Sequence, residues 1–204
     1  LDWDTLDAWI ERLQAAKEFA FDTETTSVDA QQAQLVGMSF AVTPDEAAYV
    51  PLAHSYMGVP QQLPMQDVLE RMRPLLESPD IIKVCQNGKY DINVLINHGI
   101  EMQGVGHDSM LASYVLNSTA SRHDMDSLAA HYLGRSTIPF TEIAGKGAKQ
   151  LTFDQLDLAV AAPYAAEDAD ITLQLHQTLQ QRLAATPSLA SVYQDIEMPL
   201  MPVL

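Results

Sequence analysis

An acidic pair at the end of an apolar run is the feature that most restricts how this chain can fold. Residues 19–25 read Phe-Ala-Phe-Asp-Thr-Glu-Thr, which predicts a strand that ends in polar side chains. Because successive strand side chains point to opposite faces, Asp22 and Glu24 share one face with Ala20. Two carboxylates about 7 Å apart along a strand repel each other unless a cation lies between them. The first question is therefore whether further carboxylates of the chain converge on this pair and complete a divalent-metal site.

Hydrophobic periodicity predicts a sheet flanked by helices around this strand. Strands are predicted at 18–24, 34–42, 47–52 and 81–85, and helices at 4–16, 65–77, 89–98, 108–116, 124–133, 152–161 and 164–184. A turn at residues 43–46 joins the second and third strands into a hairpin. Pro163 is expected to start or kink the last helix, because proline cannot donate a backbone hydrogen bond. Early antiparallel strands followed by strand–helix alternation indicate an α/β fold with a mixed central β-sheet.

Size and composition indicate one well-packed domain. The chain has 204 residues, 47% hydrophobic and 19% charged, which argues against disorder and allows a large core. The single cysteine, Cys85, excludes a disulfide framework within the chain. No apolar run is long enough to cross a membrane and no signal peptide is evident, so we expect a cytoplasmic protein without membrane contact. Because the chain starts at Leu1 without a methionine, we expect it to be a piece of a longer protein.

The net charge of −16 argues against tight, nonspecific binding of duplex DNA, because phosphate contacts need lysine and arginine. The charge is unevenly distributed along the chain. Residues 118–150 carry the basic side chains Arg122, Arg135, Lys146 and Lys149 and the acidic side chains Asp124, Asp126 and Glu142. This segment therefore does not share the negative charge of the rest of the chain, either by chance or because it contacts the phosphates of a nucleic acid.

Further acidic residues follow the strand at 81–85 and lie in the last long helix. Asp91 falls in the first turn of a helix, near the carboxyl end of that strand, where sites form in α/β folds. Tyr164 and Asp168 are four residues apart and therefore share one helix face. Glu167 and Asp170 point elsewhere and are expected to face solvent. Each of these motifs is weak evidence for a metal site by itself. Their joint occurrence, in this order along the chain, is what makes them informative.

The histidines show no sequence pattern of a metal site. They have no cysteine or histidine partner at zinc-finger spacing, so we expect them to be structural or surface residues. The six are His54, His98, His107, His123, His131 and His176.

Together these motifs resemble the 3′–5′ exonuclease superfamily of the DEDDy type, and within it the proofreading domains of bacterial family A DNA polymerases. The resemblance rests on residues 21–25, 117–118, 122–128, 142–147, 164–170 and 196–200 and covers essentially the whole chain. It implies a ribonuclease-H-like fold. It also implies an exonuclease domain at 1–192 and, at 193–204, the start of the connection to a polymerase domain. Glycine at position 88, where the family usually has leucine, is expected to loosen the start of the helix that carries Asp91.

The resemblance implies the roles of the acidic residues. Asp22, Glu24 and Asp168 would hold one divalent ion, and Asp22 and Asp91 a second. Mg²⁺ or Mn²⁺ suits such oxygen ligands, and Zn²⁺ could occupy one of the two sites. Tyr164, with an ordinary pKa near 10, is a poor base at neutral pH and is expected to orient the attacking water.

The resemblance also implies substrate contacts. Val28 and Phe140 are expected to pack against the terminal bases, although Phe140 could equally be a core residue. The remaining predicted substrate contacts are Thr25, Gln86, Asn87 and Arg122.

The expected function is metal-dependent hydrolysis that removes 3′-terminal nucleotides from single-stranded or frayed DNA and releases nucleoside 5′-monophosphates. The expected partner is a polymerase domain of the same parent chain. Two alternatives stay open: trimming of RNA 3′ ends, as by ribonuclease D, and a catalytically silent scaffold or nucleotide-binding module.

Overall fold

A computed structural model describes residues 2–119 and 122–203. Leu1, the first residue of the expected exonuclease domain, and Leu204, the last residue of the expected connection, lie outside the described residues. The strands are β1 (Glu18–Thr25), β2 (Leu35–Thr43), β3 (Glu46–Pro51), β4 (Ile82–Cys85) and β5 (Val105–Asp108). The α-helices are α1 (Trp3–Ala16), α2 (Met65–Leu76), α3 (Gly88–Asn97), α4 (Ser109–Leu116), α5 (Met125–Leu128), α6 (Phe140–Ala144), α7 (Leu158–Ala184), α8 (Pro187–Val192) and α9 (Met198–Leu200). Short π-helices at Ala129–Leu133 and Tyr193–Glu197 and 3₁₀ turns at Gly147–Lys149, Phe153–Gln155 and Met201–Val203 complete the described elements.

The strands form one mixed sheet in the order β3-β2-β1-β4-β5. β1 pairs antiparallel with β2 and parallel with β4, and β5 adds parallel to β4. The acidic strand β1 is therefore the centre of the sheet. In its register Asp22 lies opposite Ser39 and Glu24 opposite Gly37. The mixed sheet predicted from the sequence is confirmed.

Helices cover both faces of the sheet. Phe19 and Phe21 of β1 pack into the large core that α1, α2 and α3 share. On the opposite face Ala20 packs with Ala169 and Leu173 of α7. Small alanine side chains at this contact let the helix backbone lie close to the strand. The alternation of β1 thus directs Asp22 and Glu24 toward α7, as the sequence pattern predicted.

The last long helix differs from the prediction. α7 begins at Leu158, and Pro163 lies within it as the sixth residue instead of at its start. Asp157 caps the N-terminus, because its side chain accepts the backbone N–H of Ala159. Proline at this position costs a single hydrogen bond, to the carbonyl of Ala159, in the second turn of a 27-residue helix. The predicted break between helices at 152–161 and 164–184 was therefore wrong.

The edge strand β5 was not predicted. Its four residues, Val-Gly-His-Asp, contain one β-branched side chain and no clear alternation. Its last residue, Asp108, is buried and caps α4 by accepting the N–H of Leu111 at 2.9 Å. Asp108 also accepts the N–H of Gly88 at 2.7 Å, and its own N–H donates to the hydroxyl of Tyr193. The Asp108 carboxylate thus fixes the starts of α3 and α4, and the backbone N–H of the same residue holds Tyr193 of the C-terminal segment.

Gly88 has a packing role at the start of α3. A Cβ atom at this position would lie 2.7 Å from the Cβ of Cys85, closer than real Cβ contacts allow. Asn87 precedes it in the left-handed conformation, with φ of 62°. The strand-to-helix turn is therefore tight, and glycine at position 88 is what fits it; the expected loosening of the α3 start stays a prediction.

In the part of the chain that the structure describes, no helix combines the length and apolar character needed to cross a membrane.

Candidate active site

Three carboxylates converge where β1 and α7 meet. Asp22, Glu24 and Asp168 each offer an oxygen, and these oxygens all lie within 4.8 Å of one another. Glu24 is buried, and Asp22 and Asp168 are half-buried. The strand spacing of two and the packing of α7 across that face bring the three together. This convergence matches the sequence prediction, and carboxylates this close are what a hard divalent cation requires.

Asp91 approaches from the other side of β1. It is 2% exposed, and its carboxylate accepts both the backbone N–H of Thr23, at 3.0 Å, and the Thr23 hydroxyl, at 2.6 Å. Thr23 is the residue between the two strand carboxylates. α3 therefore delivers its acid to the same end of β1, held in place by the strand itself.

Burial and mutual repulsion shift the acidity of the whole cluster. Burial raises the pKa of Asp22 to about 7. The pKa of Glu24 lies well above its usual range because of burial first and then the charges of Asp22 and Asp168. The pKa values of Asp91 and Asp168 are raised for the same reasons, with Asp22 as the main repelling charge. In the absence of a cation the cluster therefore holds protons near neutral pH.

The donor set fits a divalent metal. Within the described residues, Glu24 Oε1 is buried and has no hydrogen-bond partner. A buried acceptor without a donor is costly, and a cation would satisfy it. The ligands are all carboxylates, which favours Mg²⁺ or Mn²⁺ over softer metals.

Tyr164 lies one helical turn before Asp168, and its hydroxyl is close enough to that carboxylate for each group to shift the pKa of the other. Burial and the neighbouring carboxylates, Asp168 first, raise its pKa far above the ordinary value of 10. The hydroxyl therefore keeps its proton at any physiological pH. It can donate or accept a hydrogen bond, and it cannot act as a base.

Tyr49 belongs to the same neighbourhood and was missed in the sequence. β2 and β3 place it beside Ser39, which in turn lies opposite Asp22. Burial, then the charges of Glu24 and Asp22, raise its pKa above the usual value. Its hydroxyl bonds to His54 Nε2 at 2.8 Å. Only the strand register, which a single sequence does not show, brings this residue to the site.

A groove of about 500 Å³ leads away from the carboxylates. Residues 24–28 form one side, Asn87 and Tyr90 lie along it, and Phe140 with residues 150–153 forms the rest. Four predicted substrate contacts line this groove: Thr25, Val28, Asn87 and Phe140. Val28 is 97% exposed, so its apolar side chain is available to a ligand.

Aromatic rings join the groove to the carboxylate cluster. Phe140 stacks on Phe153 with centroids 6.4 Å apart and planes 12° apart. It also meets the ring of Tyr164 edge-on at 5.9 Å. Phe140 is thus both packed and groove-lining, so the two readings of this residue are compatible.

The structure places the other two predicted substrate contacts away from the groove lining. The side-chain amide of Gln86 donates to the carbonyl of His123 at 2.9 Å, and its oxygen accepts the hydroxyl of Ser109. Arg122 lines a separate depression beside Tyr114 and Glu197. Their roles as substrate contacts stay predictions.

Glu167 and Asp170 do not face solvent as expected. Asp170 is 6% exposed and accepts the backbone N–H of Asp45 at 2.7 Å. Glu167 is half-buried and accepts the N–H of Ile138 at 2.6 Å. The β2–β3 turn and the segment before α6 fold over this part of α7, so helix periodicity alone did not indicate their burial.

A family model described as a 3′–5′ exonuclease matches residues 1–184. The DNA polymerase I of Pseudomonas aeruginosa is 66% identical over 206 residues, covering 100% of this chain and 23% of that protein. The chain thus spans about a quarter of that relative's length.

Solved structures share the fold. RNase D of Escherichia coli, an exoribonuclease involved in structured RNA processing, aligns with a TM-score of 0.69 and 21% identity, over 98% of this chain and 48% of that one. The POL domain of Pol1 from M. smegmatis, solved with DNA primer-template and dNTP, aligns with a TM-score of 0.74 and 20% identity, over 98% of this chain and 30% of that one. At these identities the likeness establishes a ribonuclease-H-like fold.

Proposed function

Because the chain belongs to the 3′–5′ exonuclease family of bacterial DNA polymerases I, we propose that it removes nucleotides from the 3′ end of single-stranded or frayed DNA. The products are nucleoside 5′-monophosphates, released by hydrolysis of the terminal phosphodiester. The observation that carries this proposal is the convergence of Asp22, Glu24 and Asp168, with Asp91 beside them, at the end of an open groove.

Two divalent cations, Mg²⁺ or Mn²⁺ with Zn²⁺ as a substitute at one site, would supply an activated water and charge relief at the leaving 3′-oxygen. Asp22, Glu24 and Asp168 would hold one cation, and Asp22 and Asp91 the other. In the metal-free protein these side chains share protons, so cation binding displaces protons from the cluster.

Tyr164 orients the attacking water. Its protonated hydroxyl lies against Asp168, at the point where the aromatic rings meet the carboxylates. Because the pKa of Tyr164 is raised, its hydroxyl stays protonated and other groups must remove the proton from water. The tyrosine contributes by holding the water in the orientation for attack.

The groove selects single strands by shape and by stacking. Phe140 and the exposed Val28 offer apolar surface to terminal bases, and stacking tolerates any base. A mispaired end unpairs more easily than a matched one, so it reaches the carboxylates more often. This would give proofreading without any reading of sequence.

The chain's partner would be a polymerase domain in the same longer protein. The relative in Pseudomonas aeruginosa extends well beyond the matched region. The C-terminal segment supports a fixed connection, because Tyr193 and Met201 are buried against the domain. DNA affinity of the isolated chain would then be low, since its net charge of −16 repels phosphate.

Trimming of RNA 3′ ends is a second candidate, favoured by the fold shared with RNase D. A third candidate, a silent scaffold, is disfavoured because Asp22, Glu24 and Asp168 converge and Asp91 is held beside them by Thr23.

The test uses DNA and RNA single strands of one sequence, each labelled at the 5′ end, with Mg²⁺ or Mn²⁺. We expect a DNA ladder that shortens from the 3′ end and disappears with chelator or with Asp168→Asn. Glu167→Gln is the matched control, because it changes the neighbouring acid outside the cluster. A ladder on RNA alone would support the second candidate. Absence of both ladders, with no metal binding by calorimetry, would support the scaffold.

A further inference from the structure

A second group of potential metal ligands lies outside the candidate active site. Glu18 of β1, His107 of β5 and His176 of α7 each offer a ligand atom, and these atoms lie within 4.8 Å of one another. The two imidazole rings lie in contact, with centroids 4.1 Å apart and planes tilted by 36°. Three elements that are distant in sequence thus present two histidines and one carboxylate at one point.

The separations in this group do not correspond to hydrogen bonds. His176 Nε2 is 3.6 Å from one Glu18 oxygen, and His107 Nε2 is 3.9 Å from the other. Nitrogen–oxygen hydrogen bonds are about 2.7–3.2 Å long. By contrast, ligands about 2.0–2.2 Å from a tetrahedral zinc ion lie roughly 3.3–3.5 Å from one another. The observed spacing is close to that of ligands around a shared ion.

The chemical state of the histidines suits metal binding. Burial, and then the neighbouring His107, lowers the pKa of His176 to about 4. Burial also lowers the pKa of His107. Both imidazoles are therefore neutral near pH 7, which is the form that binds metals. In the described part of the chain His107 Nδ1 is buried without a hydrogen-bond partner, so hydrogen bonding does not explain this ring's position.

Access and separation from the carboxylate cluster are also suitable. The Glu18 side chain is 45% exposed, which leaves solvent a route to the group. Glu18 and Asp22 lie four residues apart on β1, or roughly 13 Å. Asp168 and His176 lie eight residues apart on α7, or about 12 Å. β1 and α7 therefore contribute residues both to the carboxylate cluster and to the group of Glu18, His107 and His176. The two groups lie at opposite ends of the contact between this strand and this helix.

We propose that Glu18, His107 and His176 bind one divalent transition-metal ion, with Zn²⁺ as the fitting ion, at a structural site separate from the catalytic carboxylates. Imidazole nitrogen favours Zn²⁺ over Mg²⁺, so the two groups select different metals. A bound ion ties the edge strand β5 and the helix α7 to the central strand and stabilises the folded state.

The background is the double variant Asp22→Asn, Asp168→Asn, which takes two of the three convergent carboxylates out of the candidate active site. Zn²⁺ and Mg²⁺ are each titrated by calorimetry, and Tm is followed with each ion. Into this background we introduce Glu18→Gln or His107→Gln. The matched controls are Glu11→Gln and His131→Gln, two exposed positions outside the group.

We expect the double variant to bind one equivalent of Zn²⁺, which raises its Tm. Mg²⁺ should give neither a binding signal nor a change in Tm. Glu18→Gln should weaken Zn²⁺ binding by about tenfold or more, and His107→Gln should abolish it. Because Glu18 is exposed, its variant decides the matter even if His107→Gln does not fold. The proposal is overturned if the background binds no Zn²⁺, or if Glu18→Gln binds it as tightly as Glu11→Gln. Neither result depends on hydrolysis, so it leaves the proposed exonuclease activity untouched.

Discussion

The carboxylate of Asp91 accepts two hydrogen bonds from Thr23, one from its backbone N–H and one from its hydroxyl. Thr23 is the one residue between Asp22 and Glu24, and it points away from them. Both bonds lower the pKa of Asp91, against burial and the charge of Asp22, which raise it. The strand thus supplies two acids on one face and positions a third from the other.

Thr23→Val should weaken the second cation site while keeping the strand. Valine has nearly the same shape, so the fold should persist, but Asp91 loses a donor and holds its proton to higher pH. A hydrogen bond to a charged group is worth about 1.5–3 kcal/mol, so we expect roughly a tenfold to hundredfold loss of Mn²⁺ affinity by calorimetry. Thr23→Ser keeps the hydroxyl and should bind nearly as the unchanged protein does. Equal affinities for both variants would show that the hydroxyl does not position Asp91.

The metal-free protein should lose stability as pH rises. Burial raises the pKa of Asp22 to about 7, whereas an aspartate in an unfolded chain has a pKa near 4. Between these values the folded state binds more protons than the unfolded chain, so the free energy of unfolding falls as pH increases. We expect Tm in chelator to be lower at about pH 8 than at about pH 5. Mg²⁺ should restore Tm most at the higher pH, where the ligands are deprotonated.

Asp22→Asn should raise Tm in the absence of metal, whereas most substitutions at partly buried sites lower it. It removes the main repelling charge, so Tm in chelator at about pH 8 should rise by a few degrees, and the response to Mg²⁺ should be lost. Asp80→Asn changes an exposed acid far from the cluster and should leave both readouts unchanged. A fall in Tm for Asp22→Asn would show that repulsion does not limit the stability of the metal-free fold.

Tyr164→Phe should slow hydrolysis and leave cation binding intact. The ring contacts with Phe140 and Phe153 remain, and only the hydroxyl beside Asp168 is lost. We expect kcat to fall by about 10–100-fold, the loss typical of residues that surround a metal site without being its ligands. Single-turnover digestion and Mn²⁺ calorimetry on the same preparation check both parts. Loss of Mn²⁺ binding would mean that the tyrosine helps to hold the cation.

Phe140→Ala should weaken binding of the DNA end. Loss of one stacking ring costs about 1–3 kcal/mol, so KM for a short single strand should rise roughly fivefold to a hundredfold. Arg122→Ala removes a predicted substrate contact that lies outside the groove and should change KM much less. If Arg122→Ala has the larger effect, the strand follows the depression beside Tyr114 instead of the groove.

The carboxylate cluster was predictable because its signals are local. The spacing of two in β1, the position of Asp91 after β4 and the spacing of four in α7 each place a side chain on a known face. The resemblance to exonucleases then joined these pieces.

Residues whose positions depend on pairing between distant segments were not predictable. Tyr49 reaches the site through the registers of β2 and β3, and Asp170 is buried by the β2–β3 turn. His107 and His176 come together only because the short strand β5, which the sequence does not reveal, lies beside α7. Helix and strand periodicities describe single elements, so they say nothing about which elements become neighbours.

The tight fit of Gly88 against Cys85 has a consequence for how the family can diverge. A Cβ at position 88 would lie 2.7 Å from the Cβ of Cys85, so position 88 cannot gain a side chain while position 85 keeps its own. Relatives with a leucine at the position of Gly88 should carry a glycine at the position of Cys85, because every other residue keeps the Cβ that clashes. Positions 85 and 88 are thus expected to change together, one becoming smaller as the other becomes larger. Such paired substitutions would preserve the turn that positions Asp91.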